Sequence, residues 1–387
     1  MAGRMLALVA IGQFLGMTLW FSATAAAPRI AADLGLTAVQ TSWLTIAVQG
    51  GFVVGTLVSA SWNLADVFNA RRLFALGAVL GAAANAAIGT TTDVGGLIAL
   101  RFATGAALAC VYPPGMKIVA GWFQERRGTA LGIMVGALTL GSAFPHFLAW
   151  GASDVPWRTL MLTSSVLAVV GGAIVYFAVE DGPYVAPSAP FDPHAIRAVL
   201  ASRGARLATY GYLGHMWELY AMWAWIPAFA TAWVTTHAGA SPRTGSLVAF
   251  VAIGSGAIGC VVAGIVADRL GRSRIARLAL LSSGVCCAVA GALFGAPLWV
   301  LVLLCGVWGF AVVADSAQFS ALVAEHTPRT HVGTALTLQT CAGFLLTMVS
   351  MQLLPLVAGG YGWQWVFLVL LPGPLLGAAA MRRLEKP

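Results

Sequence analysis

Gly264-Ile265-Val266-Ala267-Asp268-Arg269-Leu270-Gly271-Arg272-Ser273-Arg274 joins an apolar run at 243–266 to another at 275–295. Gly264 permits close helix approach, Asp268 can cap a helix end and pair with neighbouring bases, and Gly271 suits a tight turn. Two apolar runs of membrane-crossing length joined by a short basic loop form a helical hairpin whose connection lies on the side where cations collect.

The rest of the chain extends this pattern. Of 387 residues, 59% are hydrophobic and only 9% are charged, whereas about a quarter of a soluble domain is charged. Apolar runs between polar or Pro/Gly breaks predict twelve spans, at 5–27, 40–62, 73–91, 95–121, 128–150, 159–179, 206–233, 243–266, 275–295, 297–323, 332–357 and 363–381. That leaves no room for a large soluble catalytic domain. Arg4 and the Ala25/Ala27 pattern imitate a secretory signal, but about 22 apolar residues exceed a signal core, so the first span reads as a retained helix.

The formal net charge of +8 is a topology signal. With the N-terminus in the cytoplasm, the cytoplasmic side collects Arg4, Arg71, Arg72, Arg126, Arg127, Arg197, Arg203, Arg206, Arg269, Arg272, Arg274, Arg277, Arg329, Arg382, Arg383 and Lys386. The opposite side receives only Arg29, Arg158 and Arg243, and Arg101 and Lys117 fall within spans. Such sorting predicts a multi-pass plasma (inner) membrane protein with both termini cytoplasmic, and it removes nucleic acid as a partner. Cys110, Cys260, Cys286, Cys287, Cys305 and Cys341 all lie in apolar spans without a C-x-x-C pair. They read as small buried hydrophobes, with no metal or disulfide framework.

One long polar break, containing Pro183, Pro187, Pro190 and Pro193, separates six spans from six. It predicts an N-terminal bundle at 1–181, a cytoplasmic linker at 182–205 and a C-terminal bundle at 206–387. Gly128-Thr129-Ala130-Leu131 recurs as Gly333-Thr334-Ala335-Leu336, Trp157-Arg158 matches Trp363-Gln364, and Asp66 matches Asp268. Three matches in order at nearly constant offset point to duplication, which is common in transporters.

The Gly264–Arg274 stretch resembles the G-x-x-x-D-R-x-G-R-x-R loop of the major facilitator superfamily. In its first-half counterpart Asp66, Arg71 and Arg72 remain, while Trp62, Val67 and Asn69 replace expected residues. Arg101-Phe102-Ala103-Thr104-Gly105 resembles the superfamily's R-x-x-x-G motif, and Trp122–Gly128 its usual connection into the fifth span. The resemblance covers essentially the whole chain. It implies an all-α integral membrane fold of twelve transmembrane helices in two pseudo-symmetric six-helix bundles, working by rocker-switch alternating access. It also implies a conformational latch at Asp66, Arg71, Arg72, Gly264, Asp268, Arg269, Gly271 and Arg272. The family's antiporter motif is only partly present around Gly132, Gly141 and Pro145, and its nitrate-porter pattern is missing.

An ionisable residue at mid-membrane costs several kcal/mol and is a functional candidate. The candidates are Arg101, Lys117, His146, His215, Glu218 and Asp315. The resemblance implies that spans 1, 4, 7 and 10 line a central cavity, and all but His146 lie on three of these. His215 and Glu218 are three residues apart and should share a helix face. An imidazole titrates near neutrality, so this pair is expected to exchange a proton, with Asp315 contributing to coupling. Arg101 has a planar fork for a carboxylate. Lys117, after Pro113-Pro114-Gly115, should either turn toward the cavity, where it could pair with Asp315, or snorkel to the interface. His146, Tyr220 and Trp223 complete the candidate solute site, and Gln49, Gln318 and Gln339 offer further hydrogen bonds.

These residues predict a proton-coupled secondary transporter of a small organic solute, with an anion favoured. Proton-antiport efflux of a drug or metabolite is the alternative. The expected partners are the solute, protons and the lipid bilayer; a monomer without a cofactor is expected. No H-E-x-x-H, Walker loop or nucleophile elbow points to an enzyme.

Overall fold

The computed structural model describes residues 1–124, 127–151, 155–184, 195–237, 241, 243–328 and 331–386. Arg126 and Arg329, residues 185–194 of the expected linker, and the side chains of Asp66 and Arg127 lie outside that description.

All regular structure among the described residues is helical. Helix α1 (Ala2–Leu34) stops at Gly35, whose φ of 66° is the left-handed geometry that closes helices without steric cost. Helix α2 (Ala38–Ser61) starts in a reciprocal cap between Thr37 and Gln40. The short α3 (Leu64–Val67) leads into α4 (Ala70–Ala87). Asp93 caps α5 (Val94–Leu108) by accepting from the Gly96 N–H at 2.7 Å. Helices α6 (Tyr112–Trp122), α7 (Arg127–Gly151) and α8 (Trp157–Ala178) complete the first half.

The second half follows the same order. Short α9 (Ala195–Ala201) precedes α10 (Arg203–Thr236), α11 (Thr244–Leu270) and α12 (Arg272–Ala290). Then come α13 (Leu298–Ala314), α14 (Ser316–Glu325), α15 (Val332–Tyr361), a 3-10 segment at Trp363–Leu370, and α16 (Pro372–Leu384).

The expected spans at 95–121 and 297–323 are each divided. Pro113 and Pro114 lack N–H donors and crowd the carbonyls of Ala109 and Cys110, which ends α5 and restarts the chain as α6. In the second half the division falls at Asp315. Among the described residues, eleven helical stretches are long and apolar enough to cross a membrane. The other long helix, α10, has 34 residues and carries Arg203, Arg206, His215 and Glu218, which dilute its hydropathy. Leu76, Leu80, Leu162, Val166, Ile258, Val285 and Leu303 are exposed apolar side chains, as expected where lipid is the solvent.

The chain divides into two compact units, Met1–Phe191 and Asp192–Pro387. Their internal packing repeats. A side chain added at Gly105 on α5 would strike the Val48 carbonyl on α2, and one at Gly309 on α13 would strike the Ala252 carbonyl on α11. Gly55 against Ala106 likewise repeats as Gly259 against Phe310, and all four positions shift by the same 204 residues. At a shift of 202, the approach of Gly12 on α1 to Gly171 on α8 recurs as Gly214 on α10 to Gly373 on α16. Small residues let these backbones meet where the hydrophobic effect offers no drive for helix association.

Candidate functional site

In the N-terminal unit Arg101 is fully buried at the meeting of four helices. Its Nε donates to the Leu44 carbonyl at 2.8 Å, Nη2 to Trp20 at 2.5 Å, and Nη1 to Leu19 at 3.0 Å and to Asn85 Oδ1 at 3.4 Å. Asn85 is itself held, its Nδ2 donating to the Met161 carbonyl and to Ser165 Oγ, both at 3.0 Å, while its Oδ1 accepts from Ser22. The guanidinium fork expected for a carboxylate solute is therefore engaged by main-chain oxygens. Carbonyls already bonded within a helix retain a second lone pair, which sequence spacing does not reveal.

The Lys117 ammonium donates to the Ala65 carbonyl of α3 at 2.7 Å. Of its two expected placements this is the one at the helix-connecting end, and a cation at a helix C-terminus is electrostatically favourable. His146 on α7 is buried with its ring 6.2 Å from that of Phe21. Neither of its ring nitrogens has a hydrogen-bond partner among the described residues.

The C-terminal unit gathers the other ionisable groups. Glu218 on α10 is fully buried and accepts from Trp308 Nε1 at 2.6 Å, Ser283 Oγ at 2.8 Å and Cys287 Sγ at 3.2 Å. His215 has different partners: its Nδ1 lies 2.8 Å from Asp315 Oδ1, and its Nε2 lies 2.9 Å from Ser316 Oγ. The expected His215–Glu218 pair thus gives way to two adjacent sites. Three residues along a helix turn a side chain by about 60° and advance it about 4.5 Å, enough to aim these two at different neighbours. Asp315, expected to face Lys117, is matched with His215 at the α13–α14 break.

The neighbouring aromatics are packed into this unit. Trp217 and Trp225 donate to the carbonyls of Val369 and Met351, both at 3.0 Å. Tyr220 is buried with its ring centroid 5.4 Å from Trp223 and 5.0 Å from Phe344. The sequence does not mark Trp308, Ser283, Ser316 or Asn85 as functional, and Cys287 reads from it only as a small buried hydrophobe. They lie in largely apolar runs, and only the helix crossings direct them at a charge.

Each unit also carries an ionic clasp at the basic end of its helices. Arg71 makes two bonds to Asp181, at 3.0 and 3.1 Å, and one to the Val179 carbonyl at 2.6 Å. In the second unit Arg277 Nε meets Glu385 at 2.9 Å. Arg272 meets Glu325 at 2.8 Å and Asp268 at 3.6 Å. Gly271 has a φ of 88°, a turn that an L side chain would strain. Gly264 is buried, whereas Arg72 and Arg269 are exposed.

Repeated helical bundles with ionisable groups sealed inside apolar spans define a multi-pass membrane protein of the transporter class. The model of the Major Facilitator Superfamily matches residues 9–232 and 211–387, and the chain belongs to that family. It is 24% identical to the hexuronate transporter of Escherichia coli (strain K12) over 97% of this chain and 91% of that protein. It is 29% identical to the galacturonate transporter of Dickeya chrysanthemi over 43% of this chain and 48% of that protein. Its fold is similar to the crystal structure of a mutant form of the nucleoside transporter NupG, with a TM-score of 0.73 and 16% identity over 99% of this chain and 100% of that one.

Proposed function

We propose that this protein is a proton-coupled secondary transporter of a small carboxylated sugar, working by alternating access in the plasma (inner) membrane with both termini cytoplasmic. The basic-residue distribution supports the orientation. Near full-length similarity to a hexuronate transporter supports the solute class.

The observation that carries the coupling is the proton inventory around Glu218. Ser283 Oγ lies 2.8 Å from Glu218 Oε2 and 3.1 Å from the Leu280 carbonyl, yet a serine has one proton to donate. With Glu218 ionised, Ser283 donates to it. With Oε2 protonated, Glu218 donates to Ser283 and Ser283 turns its proton to Leu280. Trp308 and Cys287 serve Oε1 in both states. Both protonation states therefore satisfy the same groups, which is what a site that loads and releases a proton requires. Cys287 and Cys286 on α12, His215 on α10 and Asp315 after α13 are the nearby titratable groups. The His215–Asp315 pair offers the next station for the proton.

Galacturonate uptake into proteoliposomes holding the full-length protein tests this reading. An inward-directed proton gradient should drive accumulation of the solute in wild type. Glu218→Gln should lose about 10-fold or more of that accumulation while retaining solute counterflow, because only the proton-linked step is removed. Full gradient-driven accumulation with unchanged pH dependence in Glu218→Gln would overturn the coupling assignment. Absence of uronate uptake in wild type, with efflux of lipophilic drugs instead, would overturn the solute.

A further inference from the structure

Most buried polar side chains of the N-terminal unit are satisfied. Thr18, Ser22, Asn85, Arg101, Thr104 and Thr139 all hydrogen-bond to carbonyls or to one another. Thr56 and Ser164 each leave one buried hydroxyl without a partner among the described residues, whereas Gln13, Ser142 and His146 together leave five polar atoms: both ends of the Gln13 amide, Ser142 Oγ and both His146 ring nitrogens. All three side chains are at most 1% exposed. Leaving a buried donor or acceptor unmade is unfavourable, and concentrating five on two helices calls for a reason.

Their arrangement supplies one. Ser142 and His146 are four residues apart and share one face of α7. Glycine 141 packs against Phe14 and Met17 of α1, and the His146 ring lies beside Phe21. The two helices therefore run side by side in the same direction, with Ser142 level with a point between Gln13 and Phe21. The Gln13 amide oxygen lies against Gly115 of α6, where any larger residue would displace it. The polar run follows about two turns of α1, roughly 12 Å. The Phe21 ring, 6.2 Å from that of His146, provides apolar surface beside one end of it.

The donor set selects the ligand chemistry. A bare carboxylate accepts only, and would satisfy the amide N–H, the hydroxyl and one imidazole N–H while leaving the amide oxygen and the second imidazole nitrogen orphaned. A hydroxyl both donates and accepts, as do Gln, Ser and neutral His taken whole. An elongated row of such groups fits consecutive hydroxyls on a carbon chain better than a single charge.

We propose that Gln13, Ser142 and His146 form the hydroxyl-reading subsite of this transporter, taking the polyol portion of a sugar acid. The inference rests on the solute class proposed above and extends it: specificity for hydroxyls lies in the N-terminal unit.

The test uses full-length protein carrying Gln13→Leu, Ser142→Ala or His146→Leu. Counterflow KM and thermal stabilisation by ligand would be measured with galacturonate, glucuronate, neutral galactose and the unhydroxylated carboxylate hexanoate. Wild type should be stabilised by both uronates and far less by hexanoate. Each variant should fold, keep or raise its ligand-free melting temperature because orphaned polar atoms have gone, and show a KM for uronates raised about 3- to 10-fold. Gln13→Glu should weaken uronate binding while keeping the side chain's shape. Should the uronates stabilise wild type while Gln13→Leu and His146→Leu retain its KM and ligand shift, this inference is overturned and the function above survives. A variant that loses ligand-free stability without a specific loss of uronate response assigns its residue to packing and also overturns the inference. If no uronate stabilises wild type, both readings fall together.

Discussion

The two halves repeat the same helix crossings yet bury opposite charges by different means. In the N-terminal unit the cation of Arg101 is held by three main-chain carbonyls and by Asn85. A guanidinium keeps its proton under all ordinary conditions, and main-chain oxygens cannot rotate away, so this arrangement has one state. In the C-terminal unit the carboxylate of Glu218 is held by an indole, a thiol and a hydroxyl, beside an imidazole–carboxylate pair. Side-chain hydroxyls reorient and carboxylates exchange protons. The shift of 204 residues that aligns Gly105 with Gly309 sets Cys305 where the first half has Arg101. On the function proposed above, one repeat serves as a fixed electrostatic lock and the other as a chargeable site.

The largest effect should come from opening the lock. Arg101→Met removes four charge-assisted or polar contacts from a fully buried position. Each bond to a charged group contributes about 1.5–3 kcal/mol, so even allowing for non-additivity the loss should exceed about 3 kcal/mol. Thermal unfolding in detergent should show a large drop in stability, equal at acidic and alkaline pH, and Arg101→Lys should rescue little because an ammonium lacks the planar fork. If Arg101→Met unfolded like wild type and lost only solute affinity, the contrast between the halves would collapse.

Glu218→Gln is the matching change on the other side, and it should leave stability within about 1 kcal/mol of wild type. The amide oxygen can accept from Trp308 and Cys287, and its N–H can donate to Ser283, which reproduces the protonated acid. A locked role predicts destabilisation instead. Stability that falls as far as in Arg101→Met would make Glu218 a second structural charge. A smaller effect belongs to Ser283→Ala, which removes the group that reverses direction. The ionised carboxylate loses a charge-assisted donor and the neutral acid a weaker bond, so the pH profile of counterflow should move to higher pH. A pH profile superimposable on wild type would remove Ser283 from the coupling.

The architecture was legible in the sequence because hydropathy and the loop around Asp268 are one-dimensional signals. The duplication was visible in short matches such as Gly128–Leu131 with Gly333–Leu336, and the glycine crossings at shifts of 202 and 204 show it again in the packing of other helices. Candidate charges could be found because they are rare in apolar runs; their partners could not. Nothing in the spacing of Leu19, Trp20 and Leu44 says that their carbonyls converge on Arg101, and main-chain acceptors carry no sequence signature at all. The Glu218 donors have side chains, but a serine, a cysteine and a tryptophan within apolar helices are ordinary packing residues until a crossing aims them. His215 and Glu218 illustrate the same limit at short range, since helical spacing shows that they are neighbours and not which way each reaches.

The smallest effects should come from the clasps at the helix ends, where the two halves are alike again. Arg71 with Asp181 and Arg277 with Glu385 each tie the start of a third long helix to the end of a sixth. Both pairs are partly exposed, so each should contribute at most about 1 kcal/mol, and salt should reduce it. Arg71 also donates to the Val179 carbonyl and grips Asp181 with two nitrogens, whereas a single bond joins Arg277 to Glu385. Arg71→Ala should therefore lower the melting temperature more than Arg277→Ala, and the part of its loss due to the carbonyl bond should persist in high salt. Equal, fully salt-screened losses would mean that only the ion pairs matter and that the halves match at their ends. An unequal, partly salt-resistant loss would extend to the surface the rule seen inside, in which the first half uses arginine on main-chain oxygens to hold one geometry.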